Sequence, residues 1–89
     1  MVRLFVNHRV ADYTIWKRGY DEAEGLRQQS GVTMASVFRD ASDPSIVIVT
    51  HDFANLAAAQ AFAGNPGLKD AMTQAGVVGK PTFWFGEEQ

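Results

Sequence analysis

No cysteine occurs in this 89-residue chain, which excludes a disulfide framework, a thiolate zinc site and a cysteine nucleophile. Long apolar runs are missing as well; nothing approaches the ~18 consecutive apolar residues that a membrane helix requires. The chain moves from its first residues (MVRLFVNHRV) into an alternating strand, without the apolar run and cleavage site of a signal peptide. A cytoplasmic location is therefore the expectation. Basic charge is sparse and scattered: 8 Lys and Arg stand against 10 Asp and Glu, a net charge of −2. That leaves no electrostatic footprint for nucleic acid. There is no phosphate-binding loop, dinucleotide fingerprint or nucleophile elbow. Repeats, linkers and low-complexity stretches are also lacking, so residues 1–89 are read as one domain with a limited core.

What is present is a regular hydrophobic pattern. In Val2–Val10 the residues Val2, Leu4, Val6, His8 and Val10 alternate with Arg3, Phe5, Asn7 and Arg9 and share one face of a strand. Asp12 is placed to cap a helix from Tyr13 to about Gln29, in which Tyr13, Trp16, Tyr20, Ala23 and Arg27 recur at spacings of three and four. Gly31 closes it. Strands follow at Val32–Arg39 and Ile46–His51 around a polar hairpin segment; the second is apolar on both faces and reads as an interior strand. Asp52 or Asn55 then caps a helix to about Ala63, with Leu56, Ala59, Phe62 and Ala63 on its buried stripe. Asn65-Pro66-Gly67 breaks it before a short helix over Gly67–Ala75. Lys80–Phe85 forms the last strand, at a sheet edge because Pro81 has no amide hydrogen to donate.

This order, β-α-β-β-α-β, predicts the ferredoxin-like α+β arrangement: a four-stranded antiparallel sheet with the helices on one face. Helices on one face leave the other bare. Yet the strands carry bulky apolar residues on both sides: Phe5 opposes Leu4 and Val6, Val47 and Val49 oppose Ile46 and Ile48, and Phe83 and Phe85 oppose Trp84, so an uncovered face gives more contiguous apolar surface than soluble monomers expose. A homodimer, sheet on sheet, is the economical cover. Arg3, Asn7 and Arg9 share the Phe5 face and predict polar margins to that contact.

The strand VRLFVNHRV, the helix start DYTIWKRGYD, and HDFANLAAAQAF followed by NPGLKDAMTQAGV together resemble the dimeric α/β-barrel superfamily, close to the antibiotic-biosynthesis-monooxygenase-like proteins. The resemblance spans nearly the whole chain. It implies a dimeric barrel and small-molecule chemistry of several kinds: cofactor-free oxygenation, polyketide cyclisation, haem degradation, dehalogenation or isomerisation. The asparagine–tryptophan pattern of the monooxygenases has no match here, so no catalytic residue is carried over from them.

Among the residues themselves, His8 carries two readings. It is a buried neutral histidine bonded to a backbone carbonyl, or a general base with the one side chain that titrates near neutrality. Tyr13, Trp16 and Tyr20 are core packing, or the wall of a flat cavity for a hydrophobic, aromatic or polyketide-like molecule. In the second case Trp16 and Tyr20 hold a ring and Tyr13 donates a hydrogen bond to developing negative charge. His51 is a candidate ligand contact. It does not pair with Asp52, because adjacent strand residues face opposite sides. It also lies roughly 15 Å from His8 at ~3.3 Å per residue, too far for a shared metal. No metal or other cofactor is expected, although a lone histidine leaves haem ligation open. The leading expectation is a cofactor-independent, monooxygenase-like enzyme with His8 as base. The alternatives are a polyketide cyclase and a non-catalytic ligand-binding or assembly module on the same dimer.

Overall fold

The alternation in the first strand sets the architecture. In a computed structural model, which describes all residues from Met1 to Gln89, β1 (Val2–Val10) is an interior strand and buries Val2, Leu4, Val6, His8 and Val10 on one face. It is followed by α1 (Tyr13–Glu22), α2 (Glu24–Gln29), β2 (Met34–Arg39), β3 (Ile46–Phe53), α3 (Leu56–Ala63), α4 (Pro66–Gln74) and β4 (Val77–Glu87). The strands form one antiparallel sheet in the order β2-β3-β1-β4, the ferredoxin-like topology expected. β3 is interior and the proline-bearing β4 lies at an edge, for the reasons the sequence suggested. No helix is long and apolar enough to cross a membrane.

The core lies between the sheet and the helices. Leu4, Val47, Val49 and Phe53 of the sheet meet Trp16, Ala59, Phe62 and Ala75, and each fully buried large side chain contributes about 1.5–3 kcal/mol. Three helices begin with side-chain caps, which satisfy amides that have no partner within the helix. Asp12 accepts from the Ile15 amide, Asn55 from Ala58 and Asn65 from Gly67.

Four details depart from the sequence reading. The first helix is two, broken at Ala23, and the break lets Arg27 fold back and donate to the Tyr20 carbonyl at 2.7 Å. β3 runs on to Phe53 because His51, Asp52 and Phe53 pair with Leu4, Arg3 and Val2. Asp52 is thus a strand residue, leaving Asn55 as the cap. Leu56, at the first position of α3, is exposed, since that helix meets the sheet only from Ala59 onward. β4 is also longer than expected. Its pairing with β1 shifts between Asn7 and Arg9, where Gly79 takes a φ of +74°. That irregularity falls opposite His8.

The far side of the sheet carries no helix. Phe5 and Trp84 stack there at 5.6 Å, with Met34, Phe38 and Val78 about half exposed or more. Arg3 and Asp52 form a bidentate pair among them, at 2.6 and 3.0 Å.

Candidate functional site

A strand places alternate side chains on one face, so His8 and His51 both point at the helices from neighbouring strands. His8 is opposite Val47, and His51 is opposite Leu4. The two imidazoles are therefore separated by four residues of strand, roughly 13 Å at ~3.3 Å per residue. Val6 and Val49, a directly opposed pair, form the floor between them. Trp16, Tyr20 and Ala23 descend from the first helical segment, Leu26 and Arg27 from α2, Phe62 from α3, and Leu68, Ala71 and Met72 from α4. Together they enclose a cavity of about 50 Å3 with a mainly hydrocarbon wall, room for about three or four waters.

His8 is held closely. Its Nδ1 lies 2.9 Å from the carbonyl of Val47. A carbonyl only accepts, so Nδ1 carries the proton and Nε2 keeps its lone pair. Nε2 has no partner in the protein. The ring meets Trp16 edge-on at 5.5 Å. Burial lowers its pKa below the usual histidine value, outweighing the bond to Val47. The imidazole is therefore neutral at pH 7 and able to take a proton. The displaced register of β4 lies directly beside it, a feature that recurs next to working sites because it re-aims a side chain.

His51 is buried against Phe62 at 5.0 Å, and its Nδ1 is sealed from solvent without a hydrogen-bond partner. Burial first, then the charge of Arg27, hold its pKa down at about 4. Tyr20 stacks on Trp16 at 5.2 Å, and the guanidinium of Arg27 covers its ring at 3.8 Å. Burial pushes the Tyr20 phenol up, against the opposing charges of Arg27 and Lys17.

Of the five candidate residues, the fold brings His8, Trp16, Tyr20 and His51 to one cavity. Tyr13 is elsewhere. It packs against Trp16 at 5.9 Å, outside the cavity lining, and the Arg39 guanidinium lies 4.1 Å over its ring. It sits one helical turn before Trp16 and packs on that ring from outside the cavity. Sequence reasoning missed Arg27 as a cavity residue, although it fell on the same helical stripe as Trp16 and Tyr20. No group of three or more potential metal ligands forms.

No model of a known protein family matches the sequence, and no curated protein does so. Solved structures do match. A crystal structure named antibiotic biosynthesis monooxygenase superposes with a TM-score of 0.74 at 16% identity, over 100% of this chain and 99% of that one. The chain has the fold of the antibiotic biosynthesis monooxygenases. A Bordetella bronchiseptica protein given that monooxygenase name provisionally reaches a TM-score of 0.85 at 11% identity, over 99% and 96% of the two chains. SnoaB, a cofactor-independent oxygenase from Streptomyces nogalater, gives 0.73 at 10% identity, over 99% and 94%. Identities this low speak for the antibiotic biosynthesis monooxygenase fold and leave the chemistry to the residues.

Proposed function

We propose that the protein is a small cofactor-independent oxygenase acting as a homodimer on an aromatic or polyketide-like molecule, with His8 as general base. The observation that carries this reading is the half-satisfied imidazole. Val47 fixes the tautomer of His8 through Nδ1, no hydrogen bond within the protein engages Nε2, and the residue lines an apolar cavity with Trp16 and Tyr20. Phenols and enols are acidic enough for a neutral imidazole to deprotonate, and positioned general bases contribute about 10²–10⁴-fold in rate. The proton that His8 takes comes from a CH2 carbon conjugated with the phenol or its keto form, and that carbon, left with one hydrogen and the electron pair, bonds dioxygen. The peroxide formed there loses water, and the carbon is left as a carbonyl. One oxygen atom enters the product and the other leaves as water. His8 returns its proton to the departing hydroxide. The fold is shared with SnoaB, a cofactor-independent oxygenase, so this chemistry is compatible with the scaffold.

A second copy of the chain completes the molecule in this reading. The helix-free face carries Phe5, Trp84, Phe38 and Met34, and sheet-on-sheet contact removes that surface from water.

The test is oxygen consumption with a panel of polycyclic phenols and anthrone-type compounds. His8→Ala lowers turnover by about 100-fold or more, while circular dichroism and molecular mass stay those of the native protein. Unchanged turnover in that variant removes His8 from the mechanism. Stabilisation by the panel without turnover by the native protein makes the dimer a ligand-binding module.

A further inference from the structure

Arg27 is a feature of the cavity that proton transfer at His8 does not need. The protein contains three ion pairs, Arg3–Asp52, Arg9–Asp43 and Lys17–Asp21, and Arg27 belongs to none of them. Its guanidinium is half-buried, lies on the Tyr20 ring and spends one N–H on the Tyr20 carbonyl. A guanidinium has five N–H donors in a planar fork, so most of its capacity is unused. That single bond explains Arg27 as a cap for the end of α1. It does not explain the neighbour.

His51 is only 4% exposed, and its Nδ1 has no partner. A buried polar nitrogen left this way costs about 1–3 kcal/mol, and native proteins rarely leave one without a reason. The backbone puts the two residues at the same end of the cavity. The Val32 amide bonds to the Arg27 carbonyl, and the next residue, Thr33, bonds to the Asp52 carbonyl beside His51. No carboxylate lines the cavity to neutralise them. An arginine without a carboxylate partner and a buried imidazole nitrogen without an acceptor, on two residues lining one largely apolar cavity, make one side of a site for a hydrogen-bond-accepting anion.

We propose that the cavity takes a ring-bearing carboxylic acid, with its carboxylate held by Arg27 and His51 and its ring lying on Val6 and Val49 toward His8. The planar fork of Arg27 matches a carboxylate, and the neutral His51 ring donates a second bond. The proposal rests on the cavity being the working site described above, and it assigns to that site the charge of its ligand. The cavity holds only a few waters as it stands, so a ring must part the seam between the first helices and α4. That seam is thin. The cavity and an outer cleft share Gly19, Ala23, Leu26, Ala71 and Ala75, and apart from Leu26 these are the two smallest residue types.

The probes are 2-naphthoate and its neutral isostere 2-naphthamide, titrated calorimetrically into the full protein at pH 7. Native protein binds the acid at least tenfold more tightly than the amide. Arg27→Gln brings the two within about twofold and keeps amide binding, and His51→Phe weakens the acid selectively. His8→Ala leaves the preference intact. Should Arg27→Gln fail to fold, the native acid-to-amide ratio and the His51 variant still decide the matter. Equal binding of acid and amide by native protein overturns the carboxylate site and leaves the cavity reading standing. Absence of binding by either probe up to its solubility limit overturns both.

Discussion

Two histidines share one face of one sheet, yet their surroundings give them different tasks. His8 has a carbonyl partner and a free Nε2, whereas His51 has no partner at Nδ1 and the adjacent charge of Arg27. The consequence for stability has a definite sign. The folded-state pKa of His51 is held at about 4, while an unfolded chain titrates near ~6.5. Between those values the unfolded state binds a proton that the folded state refuses, so stability falls as pH drops through the window and is fully present above it. Burial lowers the pKa of His8 in the same direction and adds to the loss. From pH 7 to pH 4, His51 alone removes roughly 3 kcal/mol. Urea unfolding at a series of pH values measures the slope. His51→Leu flattens it and leaves neutral-pH stability equal or higher, since an orphaned nitrogen is replaced by hydrocarbon of similar volume. An unchanged slope in that variant would show that His51 is not the group responsible. The inward direction of His8 was readable from strand alternation, whereas the face of His51 was not. Their surroundings were not readable either, because the carbonyl bound by His8 comes from 39 positions away and the charge near His51 comes from Arg27 on α2.

At the scale of elements, two glycines of the first helical segment respond oppositely to the same substitution. A Cβ on Gly19 comes within 2.9 Å of the Ala75 Cβ, so α1 approaches the end of α4 as closely as backbone allows. Gly19→Ala is expected to destabilise the protein by about 1–2 kcal/mol, overpacking outweighing the gain in helix propensity. Adding Ala75→Gly recovers most of that loss. Gly25, in α2, has nothing within 4 Å of its added Cβ, and Gly25→Ala is expected to stabilise by up to ~1 kcal/mol. Denaturant unfolding of the three variants settles both. Periodicity located these helices well and missed the corner at Ala23. Nothing in the pattern of apolar residues marks a point where a later arginine turns back to satisfy the end of the preceding helix. β4 was underestimated for a related reason. Gly79 fell outside the Lys80–Phe85 strand that the sequence suggested, yet it sits within β4, where that strand runs out of register with β1 at a sheet edge.

At the scale of the whole molecule, the helix-free face is the part a single chain leaves unfinished. Phe5 and Trp84 stack flat upon it, and Gly86 makes room: a Cβ there would come within 3.2 Å of the Phe5 ring. In the proposed dimer, Trp84→Glu buries a carboxylate against apolar surface and converts a two-chain species into one chain by sedimentation equilibrium. The core between sheet and helices does not include Trp84, so the monomeric variant keeps its secondary structure. A dimeric Trp84→Glu protein would place the contact on another surface.

The sequence alone determined the element order, the inward face of the first strand, the edge position of the proline-bearing strand and the apolar character of both sheet faces. Those follow from repeats of 2 and 3.6 residues and from the local chemistry of proline, asparagine and glycine. Only the tertiary structure decided that Arg27 and His51 line one cavity, that Tyr13 stays outside it and that His8 has one nitrogen bound. Each of these depends on how elements distant in the chain are set against one another in space, and the spacing of residues along a chain does not encode that distance.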